Sequence, residues 1–340
     1  MQDLTQYSTE TVQATEDFTL HIGDIEAAAE RLSGNIVATP LIENDEINRT
    51  LSARILIKPE MLQTTGSFKF RGAYNRVSQL SPEQRKGGIV AWSSGNHALA
   101  ISAVAARHGV KATILMPSDA PRTKIAGAER CGGTVRLYDR LTEVREEIGA
   151  DIARATGAVI VPPYDDPHVI AGQGTVGLEL VHQARDKGLE LDLALLSCSG
   201  GGLVAGAATA IHALSPATRV YCVEPAGFDD TARSLASGKP ERNAPGARSL
   251  CDALQVPTPG QLTLPINRRL LAGGVAVTDA EVRHAMRVVY DTLKLVAEPG
   301  GVAPLAALLA GKLDVAGKTV AVVLSGGNVD HDTFSACIAG

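Results

Sequence analysis

The 340-residue sequence predicts an α/β protein with two open, twisted parallel sheets and a ligand-binding cleft between them. Apolar strand segments alternate with helical segments twice, before and after a proline-rich break, PPYDDP, at residues 162–167. Glycine-rich or polar turns follow several predicted strands, and ligands of such sheets bind where the strands end. Hydrophobic residues make up 45% of the chain, which is enough to bury a sizeable core.

The first set of alternating segments runs to residue 161. Asp24 is expected to cap a helix over residues 25–32, and residues 54–58 form the first strand. A helix is expected from Lys69 to about Leu80. Further strands are expected at residues 88–92, 112–116, 134–137 and 159–161, with helices at 98–108, 123–130 and 141–156 and one that starts at residues 81–83. This alternation favours parallel pairing with helices on both faces of the sheet.

The second set of segments follows the proline-rich break. Strands are expected at residues 193–197, 219–224 and 319–324, with helices at 174–187, 203–214, 279–293 and 303–310. Residues 237–265 are rich in glycine, proline and polar residues, so we expect them to be irregular.

The composition excludes several kinds of partner. Charged residues make up 20% of the chain and the formal net charge is −5, so neither nucleic acid nor an anionic membrane is expected as a partner. No apolar run reaches the length of a membrane span, and residues 1–20 form a polar, flexible leader without an apolar signal core. The five cysteines show no paired spacing, which favours free thiols in a reducing cytoplasm.

The segment KPEMLQTTGSFKFRGA, residues 58–73, contains a lysine in an unusual setting. Residues 64–67 are expected to form a loop and helix cap, so that Lys69 begins a helix beside Phe68 and Phe70. Desolvation and the nearby positive charge of Arg71 would both lower the pKa of Lys69, as condensation with an aldehyde requires. The alternative is a surface lysine at a helix start.

Three turns at strand ends offer groups for a phosphorylated ligand. Residues 197–203, SCSGGGL, lie between a strand and a helix, where backbone N–H groups can close on a phosphate. The pattern is neither the GxGxxG dinucleotide fingerprint nor a P-loop. The turns SSGNHA at 93–98 and SGGN at 325–328 add hydroxyl and amide groups, although either alone is more often structural. Together with Lys69 they indicate a site for a phosphorylated aldehyde that forms a Schiff base.

These motifs resemble those of the pyridoxal-phosphate enzymes with the tryptophan-synthase-β fold, specifically the threonine/serine dehydratase and serine racemase group. The matching segments are SFKFRGA, SSGNHA, MPSDAPRTK, YDDPHVIAGQGT, SGGGL, VEPAGFDD, EPGGV and LSGGNVD, in order over residues 20–333. The resemblance implies a large cofactor-binding domain of residues 21–78 plus 165–340 and a small mobile domain of residues 79–164. It also implies a homodimer.

By this resemblance, Lys69 binds pyridoxal 5'-phosphate, Phe68 packs on its ring, Asn96 binds its ring hydroxyl and Ser325 takes the pyridine-nitrogen position. A hydroxyl there does not enforce ring protonation, which favours elimination over transamination. The other implied cofactor contacts are Ser199, Gly200, Gly201, Gly202, Leu203 and Glu298. The implied substrate contacts are Ser67, Ser94, Asn96, His97 and Arg145.

Two of the implied sites have structural alternatives. Glu224, the carbonyl of Phe228 and Asp230 match a divalent-cation site that would take Mg²⁺ or Mn²⁺, but they also suit a solvated acidic strand end. Arg145 would reach the substrate when the domains close, but it also suits a helix surface beside two glutamates.

The function implied is an ammonia-lyase that acts on a β-hydroxy amino acid such as L-threonine or L-serine. Lys69 removes the Cα proton, and Ser94 on the opposite face could return one and give racemase activity. The alternatives are a serine racemase, a 3-hydroxyaspartate dehydratase, a hydroxyectoine-pathway dehydratase, or a non-catalytic sensor with the same fold. Residues 251–255, CDALQ, depart from the Ala-Asp-Gly of many relatives near the substrate, so the substrate stays open.

Overall fold

The computed structural model describes residues 18–93, 95–120, 122–139 and 141–339. Residues 1–17 of the predicted leader therefore lie outside the described residues. Among the helices that are described, none combines the length and the apolar character needed to cross a membrane.

The nine strands form two sheets within the described part of the chain. In chain order they are β1 (Arg54–Pro59), β2 (Ile89–Trp92), β3 (Ala112–Pro117), β4 (Thr134–Tyr138), β5 (Val159–Ile160), β6 (Leu193–Ser197), β7 (Arg219–Pro225), β8 (Leu271–Val277) and β9 (Thr319–Leu324).

The larger sheet contains five strands, all parallel, in the order β1-β9-β6-β7-β8. The first strand of the chain therefore pairs with the last, with Arg54 opposite Thr319. The central strands β6 and β9 are buried along nearly their whole length, as expected when helices cover both faces of a parallel sheet.

The smaller sheet contains four parallel strands in the order β4-β3-β2-β5. All four strands come from residues 89–160, before the proline-rich break at residues 162–167. The prediction of two parallel α/β sheets is thus confirmed, while the exact domain boundaries stay a prediction.

Helices cover both sheets. In chain order they are α1 (Ile22–Leu32), α2 (Asp45–Leu51), α3 (Lys69–Ser78), α4 (Pro82–Gly87), α5 (Asn96–Arg107), α6 (Arg122–Arg130), α7 (Arg145–Thr156), α8 (Pro167–Asp186), α9 (Gly202–Leu214), α10 (Asp230–Ser237), α11 (Thr263–Leu270), α12 (Asp279–Val288), α13 (Ala303–Leu309) and α14 (His331–Ile338). Single turns of 3₁₀ helix occur at Glu60–Leu62, Thr64–Gly66, Asp252–Leu254 and Pro299–Val302, and a π-helical turn, Val289–Leu293, extends α12.

Helix α8 packs closely against α3, which begins at Lys69, and against α9, which follows the glycine-rich segment at residues 197–203. A Cβ atom added to its Gly172 would lie 2.7 Å from the Cα of Gly72 in α3, and one added to Gly177 would lie 2.8 Å from the Cα of Ala207 in α9. Glycine is therefore required for this close approach of backbones. The contact fixes α3 and α9 relative to each other.

Several predicted boundaries are wrong. Helix α8 begins at Pro167 rather than at residue 174, because the side chain of Asp166 accepts a hydrogen bond from the N–H of Val169 and caps it. Asp24 is the third residue of α1 rather than its cap, and accepts from the N–H of His21. Helix α7 begins at Arg145, four residues later than expected. Helices α2, α10, α11 and α14 and strand β8 were not predicted.

Candidate active site

One cavity of about 220 Å³ lies where strands of both sheets end, and seven of the eight segments that carry the resemblance line it. It contains most of the residues implied for cofactor and substrate: Phe68, Lys69, Asn96, His97, Arg145, Ser199, Gly200, Gly201, Gly202, Leu203, Glu298 and Ser325. Ser94 lies outside the described residues. The fold thus brings together residues that are more than 250 positions apart in the chain.

Three helices, α3, α5 and α9, begin at this cavity without a side-chain cap. Their N-cap residues are Phe68, Gly95 and Gly201, and none of the three accepts a capping hydrogen bond. The predicted cap at residues 64–67 is therefore wrong. Uncapped N-termini leave backbone N–H groups and a positive partial charge free for anions. Three such termini at one cavity favour the binding of anions there.

Lys69 is the first residue of α3. The helix starts there because Ser67 is extended, forms a bridge with Gly326, and leaves the N–H of Phe68 to donate to the carbonyl of Ser325. The Nζ atom of Lys69 donates to the carbonyl of Pro163 at 2.7 Å and lies 5.2 Å from the centre of the Phe68 ring. Desolvation lowers the pKa of Lys69 to about 8, against the opposing effect of the Glu298 carboxyl.

The expected influence of Arg71 on Lys69 is wrong. The Arg71 guanidinium is fully buried and pairs with Glu60 at 2.8 Å and with Glu179 at 2.6 Å. Lys58 completes this ion cluster through a 2.7 Å contact with Glu179. Residues two apart in a helix point in different directions, so the Arg71 side chain points toward Glu60 and Glu179 while that of Lys69 faces the cavity.

The glycine loop between β6 and α9 also lines the cavity. Gly201 has a φ of +87°, and a Cβ atom there would lie 2.7 Å from Asn267 Nδ2 and 2.8 Å from Thr263 Oγ1. The hydroxyl of Thr263 donates to the carbonyl of Gly200 at 2.6 Å, which fixes the loop from behind. Both side-chain polar atoms of Asn267 are buried and have no partner in the part of the chain that the structure describes.

A chain of side chains joins three of the predicted motifs. Asn96 donates to Glu298 Oε1 at 2.6 Å and accepts from Asn328 Nδ2 at 2.7 Å. Burial raises the pKa of Glu298 to about 8, although the Asn96 hydrogen bond opposes this effect. Ser325 lines the cavity beside this chain. These groups supply hydrogen-bond donors and acceptors to the cavity.

His97 and Ser67 lie near the N-terminus of α5. The Nε2 atom of His97 lies 2.9 Å from the carbonyl of Val161, and burial lowers the pKa of His97 to about 3. Because the ring is neutral and the carbonyl only accepts, Nε2 carries the proton. The hydroxyl of Ser67 is buried and has no partner among the described residues. A carboxylate here would meet neutral donors and a helix terminus.

Charged side chains occur on the small-domain side of the cavity. Arg145 lines it and pairs through Nε with Glu146 at 2.8 Å, with both side chains partly exposed. Lys124 of α6 pairs with Asp252 of the turn Asp252–Leu254, and both line the cavity. Sequence reasoning assigned no role to Lys124. The position of Lys124 in MPSDAPRTK, a segment that begins where a predicted strand ends, could have indicated such a role.

The predicted cation residues lie outside this cavity. Glu224, in β7, accepts hydrogen bonds from the N–H groups of Thr231 (3.1 Å) and Ala232 (2.8 Å) at the start of α10. Burial raises the pKa of Glu224 to about 8 and that of Asp230 to about 6. The Oδ2 atom of Asp230 is buried and finds no partner within the described ranges. No group of three or more histidine, cysteine or acidic side chains among the described residues could hold a metal.

The cavity suits pyridoxal phosphate. The glycine loop offers a backbone cup whose residues Gly200 to Gly202 carry no side chain, Lys69 offers a desolvated amine, and Phe68 offers an apolar ring. Consistent with this, residues 32–326 match the model of a family described as pyridoxal-phosphate dependent enzyme. The chain belongs to this family.

Similar proteins agree with the predicted resemblance, which is confirmed. The chain is 40% identical over 317 residues to an L-threo-3-hydroxyaspartate ammonia-lyase from a Pseudomonas species, covering 93% of this chain and 98% of the relative. It is 37% identical to a serine racemase of Arabidopsis thaliana, covering 93% and 95%. A crystal structure of a T.th. threonine deaminase matches with a TM-score of 0.86 and 40% identity, covering 92% and 99%.

Proposed function

We propose that the protein is a pyridoxal-phosphate-dependent ammonia-lyase that converts a β-hydroxy amino acid to a 2-oxo acid and ammonia. The observation that carries the proposal is the meeting of three uncapped helix N-termini around the desolvated amine of Lys69. One terminus suits a phosphate and another suits a carboxylate. The similarity to an ammonia-lyase and a threonine deaminase supports the reaction class.

Each residue has a role in this reaction. The cofactor, when bound, supplies an aldehyde for the amine and a ring that withdraws electrons from Cα. The N–H groups of the loop from Ser199 to Leu203 would hold its phosphate, and Ser325 would supply a hydroxyl to its pyridine nitrogen. Ser67 and Asn96 orient the substrate carboxylate at the start of α5. The neutral amine of Lys69 removes the Cα proton, which a lowered pKa permits near pH 8.

The test is a substrate panel with the purified, cofactor-loaded protein. L-threonine, L-serine and L-threo-3-hydroxyaspartate are supplied in turn, and 2-oxo acid, ammonia and D-amino acid are measured. We expect 2-oxo acid and ammonia in equal amounts from at least one substrate. D-serine without 2-oxo acid would make the protein a racemase, in which Ser94 is the predicted second acid–base group. Tight cofactor binding without turnover of any substrate would favour the non-catalytic sensor.

We also propose a divalent cation, Mg²⁺ or Mn²⁺, held by Glu224, the carbonyl of Phe228 and Asp230. The proximity of two buried carboxylates with raised pKa values supports it, because a cation would neutralise both. The unpartnered Oδ2 of Asp230, among the described residues, is an oxygen ligand of the kind these cations prefer. The competing role of Glu224 is structural, since its carboxylate binds the N-terminus of α10.

We propose that the protein is a cytoplasmic homodimer. Its five cysteines are free thiols, which suits a reducing compartment. Val37, Leu62 and Val296 are 43%, 44% and 46% exposed. Gln63, next to Leu62, bonds the backbone of Val37, and a Cβ atom added to Gly327 would lie 2.6 Å from the carbonyl oxygen of Val296 and 2.9 Å from Met61 Cβ, so the three side chains belong to neighbouring segments. An exposed apolar surface of this kind favours a second copy. Light scattering should give twice the monomer mass, and Leu62→Lys with Val296→Lys should halve it.

A further inference from the structure

The helix behind the glycine loop carries a buried side chain whose polar atoms have no partner. Asn267 lies in α11 and is fully buried. Its Oδ1 and Nδ2 atoms form no hydrogen bond within the part of the chain that the structure describes. Burying two unpaired polar atoms is unfavourable, and an apolar side chain would fill the same space without that penalty. Packing alone therefore does not account for an asparagine at this position.

The side chain of Asn267 faces the loop to which the phosphate is assigned. A Cβ atom added to Gly201 would lie 2.7 Å from Asn267 Nδ2, so the amide is in close contact with the backbone of the loop. Thr263, one turn earlier on the same face of α11, is also fully buried, and its hydroxyl donates to the carbonyl of Gly200 at 2.6 Å. The two side chains thus form a polar face of α11 behind the loop, and only Thr263 is paired.

The loop and α11 are fixed relative to each other. A Cβ atom added to Gly200 would overlap the ring of Tyr164, which packs directly on the loop. The next residue, Asp165, holds the start of α11, because its carboxylate accepts from the N–H groups of Gln261 at 2.7 Å and Leu262 at 3.0 Å. Adjacent residues of one segment therefore contact both elements, and the amide of Asn267 stays directed at the loop.

The peptide groups of the loop present donors on one side and acceptors on the other. In a trans peptide the N–H and C=O groups point in opposite directions. The carbonyl of Gly200 points to Thr263, so the N–H of Gly201, in the same peptide group, points away from α11. The N–H groups of Gly200, Gly201 and Gly202 donate to no backbone carbonyl among the described residues. A phosphate that binds these N–H groups leaves carbonyl oxygens of the loop on the side of α11.

We propose that Asn267 is a positioning residue for the cofactor phosphate. Its amide donates to a carbonyl of the glycine loop when a phosphate orients the N–H groups on the other side of the loop, as the Thr263 hydroxyl already does. The hydrogen bond of Asn267 therefore contributes to phosphate affinity and not to the stability of the apoprotein. This role depends on the phosphate site assigned to the loop in the proposed function, but it does not require the lyase reaction.

Two ligands isolate the phosphate, because pyridoxal 5'-phosphate and pyridoxal differ by that group alone. Each is titrated into the apoprotein, and binding is followed by fluorescence. Asn267→Leu keeps the number of side-chain heavy atoms but removes both polar atoms. It should weaken binding of pyridoxal phosphate by about tenfold, while binding of pyridoxal changes by less than about threefold. Asn267→Ala should show the same selective loss, and it adds no volume beside the loop.

The stability of the apoprotein gives a second measurement. Because the Asn267 amide has no partner before phosphate binds, Asn267→Leu should leave the Tm of the apoprotein unchanged or raise it. Inorganic phosphate should raise the Tm of the wild type more than that of the variant. The matched control is Asn75→Leu, since Asn75 is also fully buried but accepts from Arg31 Nη1 at 3.0 Å and donates to the carbonyl of His168 at 2.7 Å. This control should lower the Tm and leave the preference for the phosphorylated ligand unchanged.

Four results would overturn the inference. If both Asn267 variants bound pyridoxal phosphate as tightly as the wild type does, the amide would have no role in phosphate binding. Equal losses for both ligands would indicate a general effect on the cavity. A fall in the Tm of both variants as large as that of Asn75→Leu would show that the amide is already paired in the apoprotein. A wild type that binds both ligands equally would overturn the phosphate site of the loop as well.

Discussion

The two walls of the cavity differ in how rigidly their residues are held. The wall from the large domain contains the glycine loop and Lys69, whose positions are fixed by close backbone contacts of α8 with α3 and α9. The wall from the small domain contains Lys124 and Arg145, which are held by partly exposed ion pairs. The phosphate end is thus held by close backbone packing, while the charged side chains of the other wall are held only by partly exposed ion pairs.

This difference follows from the energies of the contacts. The Arg145–Glu146 pair has side chains 39% and 53% exposed, and such pairs contribute about 0–1 kcal/mol. The cluster of Arg71 and Glu60 is fully buried, and loss of one partner from such a pair costs about 3–5 kcal/mol. Substrate groups can therefore displace partners in the small-domain wall, but not in the structure that supports Lys69.

The largest expected effect is at Lys69, the reactive group of the rigid wall. Lys69→Ala removes the amine that binds the cofactor and moves the Cα proton, so kcat should fall by about 10³-fold or more. Phosphate contacts remain, so the cofactor should still bind, but more weakly. Borohydride reduction followed by peptide mass analysis should locate the cofactor on Lys69 in the wild type. Lys111→Ala is the control, and a label found on another lysine would contradict the assignment.

The second prediction tests the shape of the phosphate cup. Gly201→Ala places a Cβ atom 2.7 Å from Asn267 and 2.8 Å from Thr263 at a φ of +87°, so the loop must shift. Cofactor affinity, measured by fluorescence titration, should fall about tenfold or more, because several backbone N–H groups move together.

The matched control for this change is Gly238→Ala. Gly238 has a similar φ of +76°, but its nearest neighbour for an added Cβ is Arg268 Nη2 at 3.7 Å, just after the end of α10. This variant should lose about 1 kcal/mol of stability and keep its cofactor affinity. If both variants lost affinity equally, the cup would not be the phosphate site.

A smaller effect is expected from pH. Only the neutral amine of Lys69 can attack the cofactor aldehyde, and burial lowers the pKa of Lys69 from 10.5 to about 8. The rate of cofactor capture by the apoprotein should therefore rise about tenfold per pH unit below 8 and level off above it. Stopped-flow absorbance measures this rate. Because the Glu298 carboxyl raises the pKa of Lys69, Glu298→Gln should move the midpoint to lower pH. A midpoint near that of an unburied lysine would indicate an exposed amine.

The rigid wall was also easier to predict from the sequence than the flexible one. Strand–glycine–helix order is local, so residues 197–203 predicted the loop between β6 and α9. Helix α8 was harder, because its first turns contain glycines, which disfavour a helix locally although contact with α3 and α9 requires them. Strand β8 was missed for a similar reason, since LAGGVAV contains two glycines.

The small-domain wall depends on pairings that the sequence does not encode locally. Lys124 and Asp252 are 128 residues apart, and neither has a local pattern that points to the other. The direction of the Arg71 side chain could not be predicted from the sequence either, because it is set by ion pairs with Glu60 and Glu179 on other elements. Long-range ion pairs of this kind decide which charges remain available in the cavity.

The smallest expected effect concerns two buried acidic side chains between the end of β7 and the start of α10. Glu224 and Asp230 are buried near each other, and Oδ2 of Asp230 has no partner in the described part of the chain. A cation bound there would link the end of β7 to α10 and stabilise the folded state by mass action. It would act away from the cavity, so its effect on rate should be indirect. We expect chelation to lower the Tm by about 3 °C or more, and Mg²⁺ or Mn²⁺ to restore it.

The control for this metal is the double variant Glu224→Gln with Asp230→Asn, which should abolish the response to chelator. The amide of Glu224→Gln keeps one acceptor oxygen for the N-terminus of α10, where the two carboxylate oxygens of Glu224 now accept from the N–H groups of Thr231 and Ala232. The Tm of the double variant is therefore expected to be lower than that of the wild type, and the readout is the change in its Tm on chelation. A Tm of the double variant that still responds to chelator would therefore place the metal elsewhere. If the Tm of the wild type changes with neither chelator nor cation, Glu224 has only its structural role, because its hydrogen bonds to α10 need no metal.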